Sequence, residues 1–73
     1  MNSRALGSLV KARREELRVD QRTLAGLSGV AVHTISNVER GSGNPTLMVV
    51  SRLLDVLGLE LAVRPRTKDS TSS

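Results

Sequence analysis

Residues 32–41, VHTISNVERG, gather the side chains best suited to act on another molecule: His33, Thr34, Ser36, Asn37 and Arg40, with Val32 beside them. His33 and Ser36 stand three apart, as helix neighbours do, yet no cysteine lies near them and no pair of carboxylates is placed for acid–base work. Catalysis is not expected. A single histidine and no cysteine also leave no clustered imidazole or thiolate site, so neither metal nor cofactor is expected. The remaining chemistry is recognition. Short polar side chains on one helical face can approach base edges without steric conflict, although the same pattern suits an ordinary solvated helix.

Composition bears on which reading holds. A chain of 73 residues is one domain near the lower limit of what a single core stabilises, so help from a second subunit is plausible. Eleven Lys and Arg against seven Asp and Glu give a net charge of +4. The arginines are spread from Arg4 to Arg66, which favours a polyanionic partner and also suits a merely solvated basic surface. Phe, Trp and Tyr are absent. The core must then be aliphatic, and aromatic stacking on single-stranded bases is excluded. With no long apolar run and no basic leader before a hydrophobic stretch, a soluble, cytoplasmic protein is expected.

The elements that must position these residues follow from periodicity and caps. Leu6, Leu9, Val10, Arg13, Arg14 and Leu17 keep helical spacing after a cap at Ser3, predicting a first helix over 4–17. Asp20 caps a second, over 21–28, with Leu24, Ala25 and Leu27 facing inward. Gly29 is the natural turn residue. A third helix starts near Val32 with Ile35 and Val38 inward and Val30 packing just before it, and GSGNP at 41–45 stops it. Thr46 caps a fourth helix, whose Leu47, Val50, Leu53, Leu54 and Leu57 form the strongest apolar stripe before Gly58. In LELAV the period changes: Leu59, Leu61 and Val63 alternate with Glu60, Ala62 and Arg64, a strand signal that Pro65 ends. The residues after Pro65 are small and polar, the composition of a disordered tail.

Two short helices joined at Gly29 have the dimensions of a helix-turn-helix, whose second helix lies in the DNA major groove. In that frame Ile35 and Val38 belong to the core, and Val32, His33, Ser36 and Asn37 lie on the opposite or flanking faces.

The segment REELRVDQRTLAGLSGVAVHTISNVERGSGNPT, residues 14–46, resembles the helix-turn-helix domain of the phage-repressor (Cro/C1, or Xre) family. The resemblance is carried by Arg14, Gln21, Leu24–Ala25, Gly29, TIS at 34–36, ERG at 39–41 and Pro45. The later LLDVLGLELAVRPR is similar to the C-terminal part of HipB-type antitoxins, in which a short strand pairs with its twin across a dimer. The resemblance implies an all-α, lambda-repressor-like domain of four to five short helices with a C-terminal strand, Leu59, Leu61 and Val63, that pairs in a homodimer. It also implies a repressor of double-stranded operator DNA bearing an inverted repeat, acting as antitoxin to a HipA-like kinase toxin and autoregulating its operon; a stand-alone repressor is the alternative.

Position by position, Gln21 matches the family glutamine that meets a phosphate; Arg18, Arg22 and Arg40 are expected to neutralise further phosphates, a role that scattered solubilising arginines can also mimic. Val32, His33, Thr34, Ser36 and Asn37 fall where relatives read bases: His can donate to guanine or phosphate, Asn can pair bidentately with adenine, and Val can contact a thymine methyl. Arg14 and Glu39 match a structural ion pair. Val32 departs from the polar residue common at its place. Arg18 replaces a frequent turn glycine, so it takes a left-handed conformation at some cost. Residues 1–64 are thus expected to form the DNA-binding and dimerisation domain, and 65–73 the tail.

Overall fold

The computed structural model describes residues 2–66. Most of the expected tail, 67–73, lies outside the described residues. Four helices follow in order: α1 (Ser3–Glu16), α2 (Gln21–Ser28), α3 (Val32–Arg40) and α4 (Leu47–Val56). Three of them start on a side-chain oxygen that takes a first-turn N–H. Asp20 accepts from Thr23 N at 2.7 Å and Thr46 from Val49 N at 3.1 Å, as their positions foretold. At α1 the cap is Asn2, accepting from Ala5 N at 2.8 Å, and not Ser3, which is already inside the first turn. Asparagine caps as well as serine, and here it is the residue with extended backbone.

Local geometry ends the helices. Arg18 adopts φ 59°, the left-handed conformation expected of it, and so lets Val19 N reach back to Arg14 O at 3.1 Å. Gly29 closes α2 at φ 76°, where a side chain would be strained, and its N–H bonds Ala25 O at 2.9 Å. Ser28 braces the same turn, donating to Leu24 O and accepting from Val30 N.

The core is wholly aliphatic: Val10, Leu24, Val30, Ile35, Val38, Val50, Leu53, Leu54 and Leu57. Around it α1 packs on α3, α3 on α2, and α2 on α4. Two expected core positions are corrected. Leu27 is 64% exposed and Leu47 67% exposed. Helix α2 is rolled so that Gln21, Leu24, Ala25 and Ser28, one i, i+3, i+4, i+7 row, face inward, because the two polar members of that row find partners there. In α4 the row Val50, Leu53, Leu54 and Leu57 fills the core, and Leu47 sits a turn beyond its edge. Leu9 on α1 and Leu17 at its C-cap are exposed as well.

After Gly58, Leu59 packs on the core, but 59–66 form neither helix nor strand. The strand expected over this segment is not formed: among the described residues no strand lies beside it to pair with, and Leu61 and Val63 stand 44% and 94% exposed.

Two features fix α3 against α1. The first is close approach: a Cβ on Gly7 would press into the carbonyl oxygens of Val38 and Glu39. The second is an ion pair. Arg14 Nε and Nη2 grip Glu39 Oε2 and Oε1 at 2.7 and 3.0 Å, Arg14 Nη1 donates to Val19 O at 2.9 Å, and Gln21 Nε2 donates to Glu39 Oε1 at 3.0 Å. The two charged side chains are 12% and 3% exposed. Burial alone would push the Glu39 carboxyl up, but the hydrogen bonds from Arg14 and Gln21 and the arginine's charge outweigh it and hold the group below its ordinary range. The hydrogen bond to Glu39 likewise raises Arg14.

The two kinds of fixation give separate expectations. Gly7→Ala, though it improves helix propensity, should destabilise the fold by about 1–3 kcal/mol because two backbone oxygens block the methyl. Gly26→Ala in α2 has open space around it and should stabilise by roughly 0.5–1 kcal/mol; denaturant melts of both variants read the opposite signs. For the ion pair, a carboxyl lowered by folding stabilises fully above its ordinary value of 4.5 and loses that contribution as pH falls through its folded value. Acid titration of the melting midpoint should show this loss. Glu39→Gln should remove that acid-dependent part and, by stranding Arg14, lower stability near neutral pH by about 3–5 kcal/mol.

Candidate nucleic-acid interface

The candidate interface is built on α3. At 3.6 residues per turn, Val32, Ser36, Arg40, His33 and Asn37 fall within an arc of about 140°, with Ile35 and Val38 on the opposite side. Burial follows this wheel: Ile35 and Val38 are in the core, Val32, His33 and Arg40 are exposed, and Ser36 and Asn37 are half-buried. Thr34 lies off the arc, half-buried, beside a hollow of about 120 Å³ lined also by Asn37 and the 42–45 loop. Nine residues make α3 about 13 Å long, a length the major groove accepts.

The start of α3 is unlike the other three. Its N-cap is Ala31, which supplies no side-chain oxygen; Thr34 and Ile35 N–H turn to Ala31 O, and the N–H groups of Val32 and His33 are left to solvent or to an acceptor from outside. The turn that leads to it is fixed by Gly29 and Ser28, and α2 sets its angle. Arg22 is exposed on the first turn of α2, and Arg18 is exposed at the turn before it. Gln21 is half-buried with its amide nitrogen given to Glu39.

Sequence reasoning missed some of the interface. Arg40 lies back along α3, its Nη1 donating to Ser36 Oγ at 3.0 Å and its Nη2 to Asn37 Oδ1. The spacings of four and three residues are those of helix neighbours, and could have signalled the contact. The backbone of Arg4 abuts Gly41, which brings the start of α1 to the loop that leaves α3. Arg52 of α4 reaches the α2–α3 turn, its Nη1 4.0 Å from where a Cβ on Gly29 would stand. Tertiary packing sets both placements. The expected dimer residues Leu59, Leu61 and Val63 lie on the C-terminal segment and not on this face.

Among the described residues no helix is long and apolar enough to cross a membrane. A family model described as a helix-turn-helix domain matches residues 5–66. A relative from Haemophilus influenzae, named an uncharacterized HTH-type transcriptional regulator, is 38% identical over 52 residues, covering 71% of this chain and 53% of that protein. The chain thus spans about half the length of this relative. The match over 5–66 takes in all of α2, α3 and α4 and nearly all of α1, and by it the chain belongs to the Xre-like helix-turn-helix domain family.

Proposed function

We propose that this chain is a sequence-specific DNA-binding repressor that lays α3 in the major groove and acts as a homodimer on an inverted repeat. One observation carries the reading: polar and short side chains collect on a single outward arc of a helix whose other side is core. His33 and Asn37 read base edges, and Val32 touches a thymine methyl. Arg18 and Arg22 neutralise phosphates beside the α2 start. Gln21 gives one amide N–H to Glu39, and its second N–H together with its backbone N–H, the first of α2, meets the phosphate. Binding, without a catalytic step, is the whole of this role.

Dimerisation belongs to the segment after α4. Leu61 and Val63 are exposed apolar side chains on a stretch free of helix, and pairing two such stretches would cover them and set two copies of α3 about one DNA turn apart. The likeness of this segment to HipB-type antitoxins supports a second partner, a HipA-like kinase toxin, with operator binding as autoregulation in the bacterial cytoplasm.

His33→Ala and Asn37→Ala should each weaken binding to a selected operator by about 5- to 150-fold, while leaving affinity for random duplex DNA within about twofold. Equal losses on both DNAs, read by titration at fixed salt, would remove these residues as readers. For the partner, a tagged pull-down from the native host, washed at high salt to strip DNA, should retain a kinase-like protein in stoichiometric amount. Recovery of this protein alone would leave a stand-alone dimeric repressor.

A further inference from the structure

We infer that Arg40 determines which base Asn37 reads, turning it from adenine to guanine; the inference rests on the proposal that α3 reads DNA. The geometry behind it is the two-armed contact on the outer face of α3, Nη1 to Ser36 Oγ and Nη2 to Asn37 Oδ1. A guanidinium has five N–H donors and no acceptor, so the amide atom facing it must be the oxygen. That fixes the orientation of the Asn37 amide, which in most settings has to be chosen between two flips.

The consequence is chemical. To pair bidentately with adenine, an asparagine accepts from N6–H with its oxygen and donates to N7 with its nitrogen. With one lone pair of Oδ1 held by Arg40, the amide nitrogen is the freer end of Asn37. A second hydrogen bond to Oδ1 would set the partly positive adenine amino group beside the guanidinium cation on one neutral oxygen, which weakens that bond relative to a donor contact from the amide nitrogen. Ser36 is biased in the same way: its Oγ accepts from Arg40, which leaves its hydroxyl hydrogen free to donate. Ser36, Asn37 and Arg40 therefore present donors together. In the major groove the base edge made of two acceptors is guanine's, N7 and O6. Arg40 is a positioning residue here.

The test is selection of binding sites from a randomised duplex library by the wild-type protein and by Asn37→Ala, Arg40→Ala and Arg40→Lys, with thermal melts to confirm that each variant folds; Arg40 is exposed, so its replacement should not lower the melt. The wild type should enrich guanine at one position per half-site, and Asn37→Ala should erase that preference alone. Arg40→Ala should move the position from guanine toward adenine, changing the ratio of the two by about 5-fold or more. Arg40→Lys keeps the charge without the two-armed grip and should shift the same way. A base other than guanine at the Asn37-dependent position, or no such position, overturns the inference. So does an Arg40→Ala variant that binds every sequence more weakly with its preference intact, which would make Arg40 a phosphate contact only. Failure to enrich any sequence overturns the DNA-reading proposal itself, and this inference with it.

Discussion

The grip of Arg14 on Glu39 is the constraint on which the rest of this molecule depends. It joins the end of α1 to the end of α3, and through Gln21 it takes in the start of α2. A core of nine aliphatic side chains without an aromatic ring could accept several helix arrangements of similar volume. A nearly buried carboxylate accepts one, because any shift of α3 would leave a charge without its partners. The close approach at Gly7 acts in the same direction: α1 can lie against the α3 carbonyls only where no side chain intervenes.

The inner and outer faces of α3 meet at consecutive residues. Glu39 points into the protein toward Arg14 and Gln21, while Arg40 lies along the outside on Ser36 and Asn37. The ion pair sets the depth and rotation of α3, and rotation decides which side chains form the outward arc. Leu27 illustrates how little slack this leaves: α2 buries Gln21 and Ser28 for their hydrogen bonds, and a leucine stays in solvent as a result.

Features set by local chemistry were legible in the residues. Asp20, Thr46 and Gly29 act within a turn of themselves, so residue type was enough, and the left-handed Arg18 followed from its place at a turn that often holds glycine. The α3 face followed from helical period alone. Features decided elsewhere in the fold were not legible. The cap at Asn2 rested on a choice between two good capping residues, the roll of α2 on a carboxylate eighteen residues away, and the placement of Arg52 on packing between α4 and the turn. The alternation in LELAV is a strand pattern, but a pattern forms a strand only beside another, and among the described residues none is there to pair with.

The most direct measurement is a hydroxyl-radical footprint of the full chain on a duplex selected by it. Two protected patches on one face of the DNA, centred about 10 base pairs apart and related by the symmetry of the sequence, are the result predicted for two copies of α3 in successive major grooves. A single unrepeated patch, or binding that protects no position over another, would contradict it.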